Sequence, residues 1–165
     1  VRAWWRNRLG DSESGAAVLE FTVLSVLVLV PVLYLLLTVF RVQAASFAVT
    51  QAAREAGRAY ATAASADVAA ERARVAAGLA FSDQGVPIQS SSITWAAEPT
   101  MGVASCGEAT SEPPPLVAGQ DVLVCVHAVV QLPFADRGVL GSLAATGVDV
   151  SSRYVVAVDP LRAGS

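Results

Sequence analysis

Residues 16–40 read AAVLEFTVLSVLVLVPVLYLLLTVF, and one charge, Glu20, interrupts them. As a helix the stretch is about 37 Å long at about 1.5 Å per residue. The hydrocarbon core of a bilayer is about 30 Å thick, so the segment is long enough to span it. Pro31 stands near its middle. In water such a proline costs a helix about 3 kcal/mol, but membrane helices tolerate it, because neighbouring groups satisfy the freed carbonyl. The h-region of a cleaved secretory signal is shorter, about 7–15 residues. A small-residue pattern at Val42-Gln43-Ala44 keeps signal-peptidase cleavage open as the alternative.

Upstream, residues 1–15 (VRAWWRNRLGDSESG) are polar and of mixed charge, and read as a leader. Val1 reads as an alternative start. Trp4 and Trp5 suit a membrane interface. Arg2, Arg6 and Arg8 precede the span, and Arg41, Arg54 and Arg58 follow it, so the positive-inside count is a tie. Two features break it in favour of a cytoplasmic N-terminus. The leader is too short to be a working domain, and the two cysteines lie downstream, where an oxidising compartment suits them.

Downstream, residues 42–81 are alanine-rich and nearly free of Gly and Pro, which favours one long helix. Ala45, Ala48, Ala52, Ala56, Ala59 and Ala63 recur every three or four positions and form one narrow face. That face reads either as an exposed stalk or as a seat for other subunits, since small residues let a second helix approach closely. From Ser82 the chain turns to Ser, Gly, Pro and β-branched residues. Residues 88–95 read as a strand, 99–115 as a loop ending in three prolines, 121–132 as a strand and 148–158 as another. Between the last two lies a Gly-containing segment with a short apolar stretch at 139–145. In the 121–132 strand Val122, Val124, Val126, Ala128 and Val130 share one face. Leu123, Cys125, His127 and Val129 line the other, so both faces are expected to be covered.

The expected fold class is α+β. A long N-terminal transmembrane helix continues into an Ala-rich helix, and a small antiparallel β-sheet packs on the latter. The domain reading is a leader at 1–15, a span at 16–41, an extracellular Ala-rich helix at 42–82 and an extracellular β-rich domain at 83–165. Cys106 in the loop and Cys125 in the strand read as one disulfide tethering loop to sheet, with two unrelated buried thiols as the alternative. At 15% charged and net charge −3 the chain has no electrostatic footprint for nucleic acid. No Cys or His cluster has metal-ligand spacing, and no cofactor motif is present. His127 is the sole histidine. It reads as a packing residue, because no nucleophile elbow, phosphate loop or paired-acid spacing accompanies it.

The junction Ser14-Gly15-Ala16-Ala17-Val18-Leu19-Glu20-Phe21 carries the most information. A glycine ends the polar leader, and an acid occupies the fifth position of the apolar span. A carboxylate in a span is costly and needs a partner. Cleavage after Gly15 gives Ala16 a cationic amine about one turn from Glu20, and pairing of that charge with a neighbour sets a register between subunits.

This junction resembles the type IV prepilin processing site, where a prepilin peptidase cuts after Gly and leaves Glu at position five. A second stretch, Gln51-Ala52-Ala53-Arg54-Glu55-Ala56-Gly57-Arg58-Ala59-Tyr60, resembles the post-membrane signature of TadE-like minor pseudopilins of the tight-adherence (Tad/Flp) pilus system. Here Ala-Gly replaces the usual Gly-Ala order, and Leu19 stands where the family often has Val. The resemblance covers residues 14–60. It implies a structural or assembly subunit rather than an enzyme. Gly15 and Ala16 would flank the cleaved bond, and Glu20 would pair with an N-terminal amine. Ala53, Arg54, Glu55, Gly57 and Arg58 would form the family-like motif. Its partners would be the peptidase, other pilin or pseudopilin subunits, pilus-assembly membrane proteins and membrane lipid. Arg54 and Arg58, four apart, suit lipid phosphates or a partner's acids. The competing readings are a membrane-anchored enzyme or ligand-binding domain on an uncleaved signal anchor, and an uncleaved adaptor of a secretion complex that keeps Trp4 and Trp5.

Overall fold

A computed structural model describes residues 11–86, 88–97, 106–131 and 147–161. Helix α1 runs Asp11–Ala61, helix α2 Ala66–Asp83, and strands β1, β2 and β3 run Ile88–Ala97, Asp121–Val130 and Val148–Ala157. A short 3-10 turn occupies Cys106–Glu108. The strands form one antiparallel sheet in the order β1-β2-β3. The class is α+β, as the sequence predicts. Trp4, Trp5, the apolar stretch at 139–145 and the first part of the 99–115 loop lie outside the described residues.

The chain divides into two compact units, up to Val39 and from Phe40 onward. In the first, α1 is bare. Its large apolar side chains are exposed from Val18 to Val39, and it is long and apolar enough to cross a membrane. It is the single helix of that kind among the described residues, near the N-terminus, and is compatible with a single-pass anchor. Pro31 does not end it. Hydroxyls inside it turn back on the backbone: Thr22 donates to the Val18 carbonyl at 2.8 Å and Thr38 to that of Tyr34 at 2.8 Å. These two hydroxyls are thereby satisfied within the helix.

The second unit has its own core. Small residues of α1 (Ala48, Ala52, Ala53, Ala56) and of α2 (Ala69, Ala73, Ala77, Ala80) are buried against Trp95, Val122, Val124, Val126 and Ala128 of the sheet. The alanine face is thus covered by the chain's own sheet and second helix, neither an exposed stalk nor a seat for other subunits. Ala59 is half-buried at its margin.

The Ala-rich segment is two helices, where the sequence reading gave one. Helix α1 closes with the Thr62 amide and hydroxyl both donating to the Arg58 carbonyl, at 3.2 and 2.9 Å. Ser65 then takes an extended conformation, φ −143° and ψ 165°, at the N-cap of α2. Asp67 follows in the first turn, where a carboxylate favours the exposed amides. The Ser65 hydroxyl makes no cap hydrogen bond; its carbonyl accepts from the Ala69 amide at 2.9 Å as the new helix begins.

Register fixes the sheet's two faces. Trp95 lies opposite Val124, and Val124 opposite Tyr154, so these three form a row across the helix-facing side. β3 alternates half-buried and exposed along its length, as an edge strand covered on one face should. β2 is buried on both, Leu123 and Cys125 included. Cys125 is bonded to Cys106, which holds the 3-10 turn over the outer face. Just beyond, Thr110 pairs with Trp95 through two backbone hydrogen bonds of 2.7 and 2.8 Å, covering part of the free β1 edge.

The disulfide closes a separation of 19 residues, for which chain entropy predicts about 3 kcal/mol. Reduction should therefore lower the unfolding free energy of the full chain in detergent by about that amount, read from Trp fluorescence in urea. An unchanged midpoint would show that the loop is held by its backbone pairing alone.

Candidate functional site

Gly15 and Ala16 fall near the start of α1, within its first two turns. Helix ends fray at little cost, and glycine weakens a helix by up to about 1 kcal/mol. Glu20 is exposed one turn further on. The side chains around it are Leu19, Val23, Leu24 and Leu27, all apolar. Among the described residues its carboxylate has neither an ion pair nor a hydrogen-bond partner. In water that is unremarked, because solvent serves it. In hydrocarbon it demands a donor from outside the helix.

The motif at 51–60 separates into two faces. Ala52, Ala53, Ala56, Gly57 and Tyr60 turn inward and are buried. Gln51, Arg54, Glu55 and Arg58 turn outward. The Glu55 carboxylate accepts from Gln51 Nε2 at 2.9 Å and pairs with Arg58 at 3.7 Å. That pair lies on an exposed helix surface and is worth a few tenths of a kcal/mol. Arg54 is exposed beside it. A surface of two guanidiniums and one acid is left for external contacts, while the small residues of the same motif build the core.

Gly57 is small for a steric reason. A Cβ there would lie 2.7 Å from Tyr154 Cδ1 and 3.5 Å from Val156 Cβ. The first distance is a clash and the second an ordinary contact. Tyr154 therefore rests directly on the helix backbone, and α1 sits close to β3.

Tyr60 is the residue the sequence reading missed. Its ring lies 4.7 Å from that of Trp95, tilted by 34°, a geometry aromatic pairs favour. Its hydroxyl donates to the Pro114 carbonyl, tying the triple-proline segment to α1. Burial pushes the phenol up to about 12. The available signal was its place on the buried stripe, one turn past Ala56, together with the rule that a buried tyrosine seeks an acceptor.

His127 is half-buried on the outer sheet face, opposite Ser92 on β1 and Ser151 on β3. Among the described residues no group of three or more His, Cys, Asp or Glu is placed to hold a metal ion. A shallow groove runs along Trp95, Ala96, Thr110, Glu112 and the prolines 113–115. Among the described residues lining it, Glu112 is the one ionisable side chain. No protein-family model, curated protein or solved structure matches the chain.

Two outcomes follow from this packing. Gly57→Ala should destabilise the full chain in detergent by about 1 kcal/mol, an overpacking cost partly offset by better helix propensity. In a Tyr154→Ala background the same change should become stabilising by up to about 1 kcal/mol, because only the propensity term remains. An unchanged sign would mean that Tyr154 does not set the spacing. For Tyr60, a folded pKa near 12 lies above the unfolded value of about 10. Its contribution is whole below pH 10 and is lost as pH rises from about 10 to about 12. Tyr60→Phe should cost about 1 kcal/mol at neutral pH and flatten that alkaline decline in urea titrations.

Proposed function

We propose that this chain is a TadE-like minor pseudopilin, a single-pass membrane subunit that serves assembly of a tight-adherence pilus or a related secretion apparatus. One observation carries the reading. An apolar helix with one acid near its start runs without interruption into the core of a small disulfide-bonded domain. The acid near the start of that helix is costly in hydrocarbon and needs a partner there, which suits a subunit that docks with others in the membrane and not a plain anchor.

In this reading the N-terminus lies in the cytoplasm and the domain outside, since a disulfide persists in an oxidising compartment. A prepilin peptidase cuts between Gly15 and Ala16. The new Ala16 amine and Glu20 supply opposite charges at one membrane depth, and Glu20 pairs with the amine of a neighbouring pilin-like subunit. Arg54 and Arg58 serve contacts with lipid phosphates or with acids of assembly proteins.

The test is mass mapping of the N-terminus in protein extracted from membranes of cells with an active prepilin peptidase. The expected mature chain begins at Ala16, and Gly15→Leu should retain the leader. A wild-type chain that keeps residues 1–15 in those cells would count against the pseudopilin reading. Glu20→Ala should insert and be cleaved at wild-type level, because it removes a charge that opposes insertion. It should recover fewer pilus components on co-purification. Recovery equal to wild type would make Glu20 only an interfacial acid.

A further inference from the structure

β3 is the outer strand of the sheet, with β2 as its one described neighbour. Backbone direction alternates along each strand. Trp95 turns its N–H and C=O away from β2, onto Thr110. Thr94 and Ala96 therefore bond across to Cys125 and Leu123, and Val124, between those two, turns the other way, to Tyr154. On β3, Tyr154 thus faces β2, as do Ser152 and Val150. The Val158 amide, four positions on, does the same, donating to the Gln120 carbonyl at 2.9 Å. Asp149, Ser151, Arg153 and Val155 direct their N–H and C=O at the sheet's outer edge. The same four carry exposed side chains, on the face opposite Gly57 and α1. Two of them are charged, with opposite signs, and each stands two positions from Ser151.

We infer that β3 pairs antiparallel with β3 of a second copy of this chain, about a two-fold axis at Ser151. Charge complementarity identifies the occupant. An axis there sets Asp149 opposite Arg153 of the second copy, and Arg153 opposite its Asp149. These are the residues whose backbones already point outward, so one register serves both the backbone and the charges. A slip of two positions leaves both charges opposite neutral residues, and a slip of four sets Arg153 against Arg153 or Asp149 against Asp149. A guanidinium carries five donors, so contacts of Arg153 within its own chain leave others for this acid. Two charges of one sign would guard such an edge against its own copy. One of each sign, placed evenly about Ser151, does the reverse. On the helix-facing side Val148 and Val150 come opposite Tyr154 and Ser152 of the second copy, so the half-buried face continues across the junction. An edge junction is small beside a stable dimer interface, so it suits chains confined to one membrane, where their effective concentration is high. The pairing needs neither cleavage at Gly15 nor a role in a pilus.

The test treats isolated membranes of producing cells, holding the full chain with Ser151→Cys, with a short bis-maleimide, and compares Ala157→Cys on the same edge. Cys106 and Cys125 are bonded to each other and do not react. In the paired strands the two copies of position 151 lie about 5.5 Å apart, and those of position 157 roughly 40 Å apart. Ser151→Cys should give a cross-linked dimer of this chain, and Ala157→Cys none. Adding Asp149→Arg or Arg153→Asp to Ser151→Cys should lower the dimer roughly tenfold, since either change turns two attractive pairs into two repulsive ones. Producing those two variants together should restore it, as a dimer of one with the other, because each supplies the charge that the other lacks. That recovery also shows that neither variant was lost to misfolding. No dimer at position 151 would overturn the pairing, as would equal yields at 151 and 157. So would a dimer indifferent to charge reversal, one that does not return on co-production, or a position-151 adduct to a different protein.

Discussion

The contact on which the domain depends is the seat of Tyr154 on Gly57. With no side chain at that position, the ring meets the helix backbone and α1 lies close to β3. The rest of the packing follows from that spacing. Alanines at 48, 52, 53 and 56 then suffice to fill the space between helix and sheet. One turn on, Tyr60 reaches Trp95, which stands in the same cross-strand row as Val124 and Tyr154. The Tyr60 hydroxyl passes between layers to the Pro114 carbonyl. Thr110 pairs with Trp95, and the Cys106–Cys125 bond holds the neighbouring turn. A core of small residues buries little apolar area per side chain, at about 25 cal/mol per Å², so these tethers carry a larger share of stability than they would in a leucine-rich core.

The same helix meets two environments. Its first part carries exposed leucines and valines, and its second part carries alanines turned onto a sheet. The change falls near Phe40, where the two compact units divide. Helical hydrogen bonding continues across it, so the change lies in side chains and not in the backbone. Leucine and valine present area to hydrocarbon. Alanine gives up area for close approach. That division of composition makes the first part compatible with a membrane anchor and the second part a structural element of the domain.

Much of this is legible in the sequence alone. The apolar stretch, the three strands and the helix against one sheet face follow from composition and from periods of 3.6 and 2. The cysteines followed from their placement in a loop and a strand. The break at 62–65 did not, because an alanine run without Gly or Pro scores as helix throughout, and the Ser65 cap with Asp67 is a short signal inside it. Gly57 and Tyr60 were visible as members of a motif, but their partners lie 97 and 54 positions away in sequence, and no local pattern names such a partner. The motif's charged members, Arg54, Glu55 and Arg58, face outward, and its small residues and its tyrosine build the fold.

The central claim is that one unbroken helix serves both units, and amide hydrogen exchange of the full chain in lipid nanodiscs tests it most directly. The account predicts continuous protection from about residue 20 to residue 60, across 39–44, with the amides of 24–38 unexchanged for as long as lipid surrounds them. A rapidly exchanging stretch at 39–44 between two protected segments would contradict it.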